Sequence, residues 1–394
     1  MKILHVIPAV AARYGGPSHA VFEMCKALNQ QGTEILIATT DADGESTLPV
    51  KLATKTEYNG QNAIFFHRQW SEAYKYSRPL ANWLDANIKG FDAAHIHAVF
   101  SHSCLAAAKA ARENGIPYII RPLGTLDPWS LQQKRIRKQI MWRAGVGKML
   151  RKASAIHYTA TDEKDLAEGA LGLNKGVVIP LGIDSDYFQS TNNDGIFLRS
   201  HEELEQSPYI LALCRIHPKK GLELLIDAFR KLHSDSKFNS WRLVIAGNGE
   251  ESYVRSIKEL ASNNGGSGSV IFSGWLSGAE KKSAIQNAAL LALPSHQENF
   301  GICVAEAMAC GVPVLVSPHV NLAKDIRESD SGWIAPLEET EFTSILREAM
   351  SNESERNRRG ILGKQFASQQ FRWSTLALRL NTLYQAVTSG GPIG

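Results

Sequence analysis

A chain of 394 residues is too long for one ordinary hydrophobic core and suits two domains of about 150 to 200 residues each. With 44% hydrophobic residues, 21% charged residues and a net charge of +4, it reads as globular and mildly basic, a balance that favours anionic ligands without calling for nucleic acid. Its five cysteines, at 25, 104, 214, 303 and 310, are odd in number, scattered and free of C-x-x-C spacing, which argues against a disulfide framework or a zinc site and for a reducing cytoplasm.

The first residues, MKILHVIPAVAA, have the outline of a signal peptide, but His5 and Pro8 interrupt the apolar run, and the helix that follows needs a first strand to pack on. Lys2 to Pro8 therefore reads as a buried parallel strand. No stretch approaches the roughly 20 apolar residues needed to span a bilayer. Gly15 and Gly16 then turn the chain into a helix with Ala20, Val21, Met24, Ala27 and Leu28 on one face. With glycines only at 15 and 16 the loop lacks the G-x-G-x-x-G dinucleotide fingerprint; it is either a plain tight turn or a place where a ligand approaches the backbone closely.

Strands are expected at Glu34–Thr40, Ala63–His67, Ala93–His97, Tyr118–Pro122, Ala155–Thr159 and Val177–Leu181, with helices between most of them, a doubly wound α/β pattern. His97 closes its strand at the carboxyl end, where open parallel sheets bind ligands, although a lone histidine there is more often structural. In the loop RPLGTLDPWS, Arg121 suits an anionic group and Asp127 suits sugar hydroxyls, while Asp127-Pro128 equally well starts a helix. The segment 134–153 carries eight basic and no acidic residues, interleaved with Ile136, Ile140, Trp142 and Met149. Such a segment either packs on its own sheet as a solvated helix or lies on an anionic membrane surface.

Residues 184–207 are polar and lack periodicity, and the interdomain linker is expected there. Tyr209–Cys214 then begins a second doubly wound domain, followed by RIHPKKG and a helix with Leu222, Leu225, Ile226, Phe229 and Leu232 on one face. Arg215 and Lys220, with Lys219 adjacent, would make a diphosphate clamp at the carboxyl end of that strand, or simply a solvated turn. Further strands are expected at Arg242–Gly247, Val270–Gly274 and Gly332–Pro336, with a flexible Asn-Gly-Ser tract at 263–269. The segment AALLALPSHQENFGICVAEAMACGVPVLVSP, residues 288–318, reads as strand, loop, helix and strand, with Asn299 capping a helix over Phe300–Ala309 and Gly311 ending it. Glu298 lies in the loop, Glu306 lies inside the helix, and the amides of Phe300, Gly301, Ile302 and Cys303 fall between them, ready for an anionic or multiply hydroxylated ligand.

The E-x7-E pair with N-F-G after the first Glu, taken with the R...KG pattern at 215–221, resembles the donor site of retaining glycosyltransferases of family 4, whose fold is GT-B: two Rossmann-like doubly wound domains facing a central cleft. The resemblance is strongest at 209–225 and 270–318 and moderate at 1–30 and 90–160. It implies an acceptor-side domain over 1–185, a donor domain over 186–370 and a C-terminal helix over 371–394 that crosses back to the first domain. By the same resemblance Arg215, Lys220, Gly16 and the main chain at Phe300, Gly301 and Ile302 hold the diphosphate, Glu306 the ribose, and Trp275 and Leu276 the base. Glu298 and His97 face the transferred sugar, while Gly15, Arg121 and Asp127 lie on the acceptor side. The implied reaction moves a sugar, with retention, from a UDP- or GDP-linked donor to a glycan or lipid-linked saccharide in bacterial polysaccharide or cell-envelope synthesis. No cofactor and no metal is expected, and the setting is the cytoplasm, with peripheral contact at the inner face of the membrane through 134–153. A nucleotide-sugar epimerase, a phosphorylase and a catalytically silent nucleotide-sugar binder share the architecture; the last is disfavoured by intact Glu298, Glu306, Arg215 and Lys220.

Overall fold

The computed structural model of the chain describes residues 1–189, 195–262 and 268–392 and divides them into two units, Met1–Gly182 with Trp373–Gly394, and Ile183–Arg372. The first unit is built on β1 (Lys2–Val6), β2 (Glu34–Thr40), the short hairpin β3 (Ala42–Asp43) and β4 (Ser46–Thr47), β5 (Lys55–Tyr58), β6 (Gln61–Phe66), β7 (Ala93–His97), β8 (Tyr118–Arg121), β9 (Ala155–Tyr158) and β10 (Gly176–Val178). Apart from the hairpin these form one sheet in the order β10-β9-β8-β7-β1-β2-β6-β5, parallel throughout except for β5, which runs antiparallel to β6 along the edge. Sequence analysis missed β5 and the hairpin because KTEY and its neighbours carry no apolar run to mark a strand.

Side chains alternate across this sheet. Leu4, Val6, Ala94, Ile96 and Ile120 face one apolar layer, while Ile3, Ala93, Ile119 and Ala155 face the helices Gly16–Gln30 and Trp373–Ser389. The last helix buries Leu376, Ala377, Leu380, Leu383, Tyr384 and Val387, a spacing of three and four that gives it one inward stripe. Where the chain leaves the unit, a Cβ on Gly182 would lie 2.1 Å from the Trp373 indole, so only glycine lets that ring seat on the backbone.

The second unit has β11 (Tyr209–Leu213), β12 (Arg242–Ala246), β13 (Val270–Gly274), β14 (Leu290–Leu293), β15 (Val314–Val316) and β16 (Gly332–Ile334) in the order β13-β12-β11-β14-β15-β16, all parallel. The order reverses direction at β11 and β14, the switch point where such sheets open a ligand crevice beyond their carboxyl ends.

The expectation of a linker over 184–207 is corrected. Its described residues fold onto the second unit: Phe197 is fully buried against Tyr209, and its amide donates to the Ser283 hydroxyl at 3.2 Å. Tyr187, Phe188, Phe197 and Leu204 are the buried anchors, too sparse to give a periodicity. Residues 190–194, and 263–267 of the expected flexible tract, lie outside the described residues. Among the described residues no helix is long and apolar enough to cross a membrane.

Candidate functional site

Three loops at the carboxyl ends of β11, β12 and β14 are stitched together, and the stitching depends on glycines. The Ile216 amide donates to the Asn248 carbonyl at 2.9 Å, and the His296 amide donates to the Lys219 carbonyl at 2.8 Å. Gly221, at φ +64°, lies so close to the Pro294 carbonyl that a Cβ would stand 2.2 Å from its oxygen; at Gly247 the corresponding clash, with the Cys214 carbonyl, is at 1.8 Å. This close approach brings Lys220, on the first loop, to Glu298 on the third, and the two form an ion pair. Burial favours the neutral amine of Lys220, but the Glu298 charge and hydrogen bond outweigh it and raise the ammonium above its ordinary value.

Glu298 is fixed at its backbone, where its amide donates to the His319 carbonyl at 3.0 Å and its carbonyl accepts from the Asn321 amide at 3.1 Å. The helix after it begins at Ile302, later than expected, and its cap is Gly301 at φ +72° instead of Asn299. Phe300 therefore precedes the helix and packs its buried ring edge-on against Phe371 at 5.6 Å. The first-turn amides without an intrahelical partner are those of Ile302 and Cys303, since the Val304 amide already donates to the Gly301 carbonyl at 2.8 Å, and they lie at the positive end of the helix dipole.

One turn further in, Glu306 is 7% exposed. Burial pushes its carboxyl up, and Lys281, whose ammonium donates to Oε1 at 2.6 Å, counters that shift. Lys281 and the nearby Tyr187 went unnoticed in the sequence: Lys281 sits in GAEKKSAIQ, an ordinary polar helix, and Tyr187 in the supposed linker. Arg215 is exposed on the first loop. Trp275 is 63% exposed just after β13, whereas Leu276 is 4% exposed and belongs to the interior.

The site residues expected in the first unit separate into three places. Gly15 caps the helix Gly16–Gln30 at φ +74°, and a Cβ on Gly15 or Gly16 would meet nothing within 4 Å, so space remains beside this loop. Asp127 is buried and caps the helix Pro128–Gln132, accepting from the Ser130 amide at 2.8 Å. Of the two readings open for it, the helix start is the one observed. His97 and Arg121 do come together, but inside the unit and not on an open face: they are 0% and 1% exposed.

They belong to a buried polar layer with His5, His95, His157 and Tyr384, contributed by the same-facing positions of β1, β7, β8 and β9 and by the last helix. Among the described residues the Arg121 guanidinium has no hydrogen-bond partner on any nitrogen, and burial lowers it to about 10. Burial, assisted by that cation, holds His5 and His157 at about 3 and His95 and His97 well below the ordinary imidazole value, so all four rings are neutral. Glu163, the carboxylate nearest in charge to Arg121, accepts from the Thr159 amide and hydroxyl, both at 2.7 Å, and from the Gly124 amide at 2.8 Å. The signal that would have revealed the layer is histidine inside otherwise apolar strands, in LHV, HIH and IHY.

Two family profiles divide the chain as the units do: Glycosyltransferase Family 4 over residues 14–187 and Glycosyl transferases group 1 over residues 196–366. The chain belongs to this family. Its fold is GT-B: sucrose-phosphate synthase from Thermosynechococcus elongatus superposes with a TM-score of 0.79 at 19% identity over 99% of this chain and all of that one. Anabaena HepE, solved with UDP and glucose, superposes with a TM-score of 0.77 at 19% identity over 98% and 100%. Among curated proteins, the phosphatidyl-myo-inositol mannosyltransferase of Mycobacterium tuberculosis is 28% identical over 56% of this chain and 57% of its own length. A GDP-mannose-dependent alpha-(1-6)-phosphatidylinositol monomannoside mannosyltransferase of the same species is 25% identical over 51% and 54%. This family 4 chain thus spans about half the length of the curated relatives it matches.

Proposed function

We propose that the protein is a retaining glycosyltransferase that moves a sugar from a UDP- or GDP-linked donor to a saccharide or lipid-linked saccharide acceptor, in assembly of a bacterial polysaccharide or cell envelope. The observation that carries the reading is the pairing of Lys220 with Glu298 beside the free amides of a helix start, with Lys281–Glu306 one turn inside. A diphosphate offers those amides and Lys220 a stronger partner than Glu298 does, and its arrival frees the Glu298 carboxylate to accept hydroxyls of the transferred sugar. Arg215 closes on the same diphosphate, Glu306 takes the ribose hydroxyls, and the base lies by Trp275 and the main chain at Leu276. The loop at Gly15 and Gly16 of the first unit, where a Cβ would meet nothing within 4 Å, is a further place where a ligand can approach the backbone.

The chemistry such a site supplies is positioning together with stabilisation of departing negative charge. The acceptor hydroxyl attacks the anomeric carbon from the leaving-group side, the C–O bond to the diphosphate breaks, and a leaving phosphate oxygen takes the hydroxyl proton, so configuration is retained. Lysine and arginine charges do here what a metal does elsewhere, and turnover is expected to survive chelation of divalent ions.

A lipid-linked acceptor at the inner face of the membrane is supported by the helix Arg135–Met141, where Ile136 and Ile140 are 75% and 64% exposed among Lys134, Arg135 and Arg137. The mannosyltransferases above, which by name act on phosphatidylinositol lipids, point the same way.

The test is a thermal-shift and calorimetry panel of UDP, GDP, ADP and their sugar conjugates, with chelator present, followed by product analysis. One nucleotide should stand out, Lys220→Ala should abolish its shift, and the product should keep the donor's anomeric configuration. No stabilisation by any nucleotide overturns the reading, and binding without transfer to any acceptor reduces it to a silent binder.

A further inference from the structure

The buried histidines of the first unit form one hydrogen-bonded chain. His157 Nε2 lies 2.8 Å from the Ile179 carbonyl, His157 Nδ1 3.2 Å from His95 Nε2, His95 Nδ1 2.8 Å from the Tyr384 hydroxyl, that hydroxyl 3.3 Å from His5 Nε2, and His5 Nδ1 3.0 Å from His97 Nε2. His97 Nδ1, at the far end, has no hydrogen-bond partner among the described residues.

The carbonyl at the start can only accept, and this sets the direction of every later bond. His157 must carry its proton on Nε2, which leaves Nδ1 bare to accept from His95 Nε2–H. His95 Nδ1 is then bare and accepts the single hydroxyl proton of Tyr384, whose oxygen accepts from His5 Nε2–H. His5 Nδ1 is bare in turn and accepts from His97 Nε2–H, so the last nitrogen, His97 Nδ1, ends as a lone pair. Reversing any link while keeping every bond would put two protons on one of the rings, and a buried imidazolium near the Arg121 cation is the least favourable state this layer offers.

We propose that this chain is a tautomer-fixing relay: the Ile179 carbonyl, through His157, His95, Tyr384 and His5, holds His97 in the Nε2–H form and leaves its buried Nδ1 as a bare hydrogen-bond acceptor on the strand next to Arg121. The relay rests on this geometry and not on the transferase reading. His5, His95, His157 and Tyr384 are positioning residues, and the last helix joins the layer through a single hydroxyl. The nitrogens of His5, His95 and His97 also fall within 4.8 Å of one another, the spacing of a metal cluster. Two of their three lone pairs are already accepting, and the nearest charge is cationic, which favours the relay over an ion.

The experiment is two-bond proton–nitrogen correlation of the full-length chain labelled with ¹⁵N-histidine, at neutral pH and without substrate. All four rings are expected as the neutral Nε2–H tautomer. A protonated Nδ1 on any of them, a charged ring, or stoichiometric uptake of added Zn²⁺ by the three rings overturns the relay. Tyr384→Phe keeps the ring and cuts the chain, so His97 should become a mixture of tautomers, with nucleotide affinity unchanged. An undisturbed His97 tautomer in that variant also overturns it. Should Tyr384→Phe not fold, His157→Gln, whose amide reproduces the donor and acceptor, should keep the tautomer, and His157→Leu should lose it. Because the spectra need no substrate, failure of every nucleotide sugar as donor would leave the relay standing, and failure of the relay would leave sugar transfer standing.

Discussion

Both units place polar side chains at the carboxyl ends of buried parallel strands, and they treat charge in opposite ways. In the second unit Glu298 and Glu306 each meet a lysine, partly accessible to water, so the ions are compensated and ready to exchange partners with a ligand. In the first unit the guanidinium of the layer, Arg121, has no hydrogen-bonded partner among the described residues, and four histidines around it are held neutral. The lesson is that an exchangeable ion pair suits binding of a charged diphosphate, whereas a neutral, directed chain suits a buried layer, where each bond fixes the place of one proton.

The largest test of that contrast removes a charge from the second unit. Lys220→Ala leaves Glu298 without its cation and the diphosphate without its nearest donor; turnover is expected to fall about a hundredfold to a thousandfold, with the nucleotide thermal shift lost. Glu306→Gln should act on binding instead, lowering nucleotide affinity about tenfold by calorimetry and narrowing the preference for ribose over 2′-deoxyribose. An unchanged ribose preference would remove Glu306 from the site.

Gly221→Ala tests whether backbone contact, and not the lysine alone, makes the pair. The new Cβ meets the Pro294 carbonyl at 2.2 Å and the residue sits at φ +64°, so the loops must part. A stability loss of about 1–3 kcal/mol with weakened nucleotide binding is expected from denaturant unfolding and calorimetry.

The first unit should be the more acid-sensitive. His5 and His157 stand at about 3 in the folded chain, whereas an unfolded histidine titrates near about 6.5. Between those values the unfolded chain binds more protons than the folded one, so stability is complete above the unfolded value and falls as the pH drops through the window. One pH unit below the unfolded value, each such histidine costs about 1 kcal/mol. Hydrogen exchange corrected for intrinsic rates should therefore show β1, β7 and β9 losing protection between neutral pH and pH of about 5.5, before β11, β12 and β14 do; equal loss would refute the contrast.

Much of this architecture was legible because parallel strands announce themselves: the buried β2 and β7 and the half-buried edge strand β13 have the expected bounds. The places of Lys220 after β11, Glu298 after β14 and Glu306 inside a helix were legible too. Lys281, Tyr187, His157 and Tyr384 were not, because each reaches its partner across long sequence separation; the hydroxyl of Tyr384 meets His95 from 289 residues away. The helix start shifted from Asn299 to Gly301 because a left-handed glycine at that bend fits against Val304, Glu298 and Val320, a tertiary constraint that capping preferences do not contain. A capping residue and a hydroxyl-binding residue also look alike in sequence, and Asp127 was open to both readings for that reason.

Asp127 gives the smallest and most discriminating test. Its carboxylate accepts from the Ser130 amide, and it is 3% exposed, so capping accounts for its placement. Asparagine caps about as well as aspartate, and alanine does not cap at all. Asp127→Ala is expected to cost about 1 kcal/mol in denaturant unfolding, and Asp127→Asn a few tenths at most. If the carboxylate only caps, turnover should follow stability, and the asparagine variant should work at the wild-type rate. If it also takes a sugar hydroxyl, the asparagine variant should fold normally and still show a raised KM for acceptor, because the charge-assisted bond is lost while the cap remains. A raised acceptor KM in the asparagine variant would return Asp127 to the acceptor site and show that a charged group of the first unit works as those of the second do.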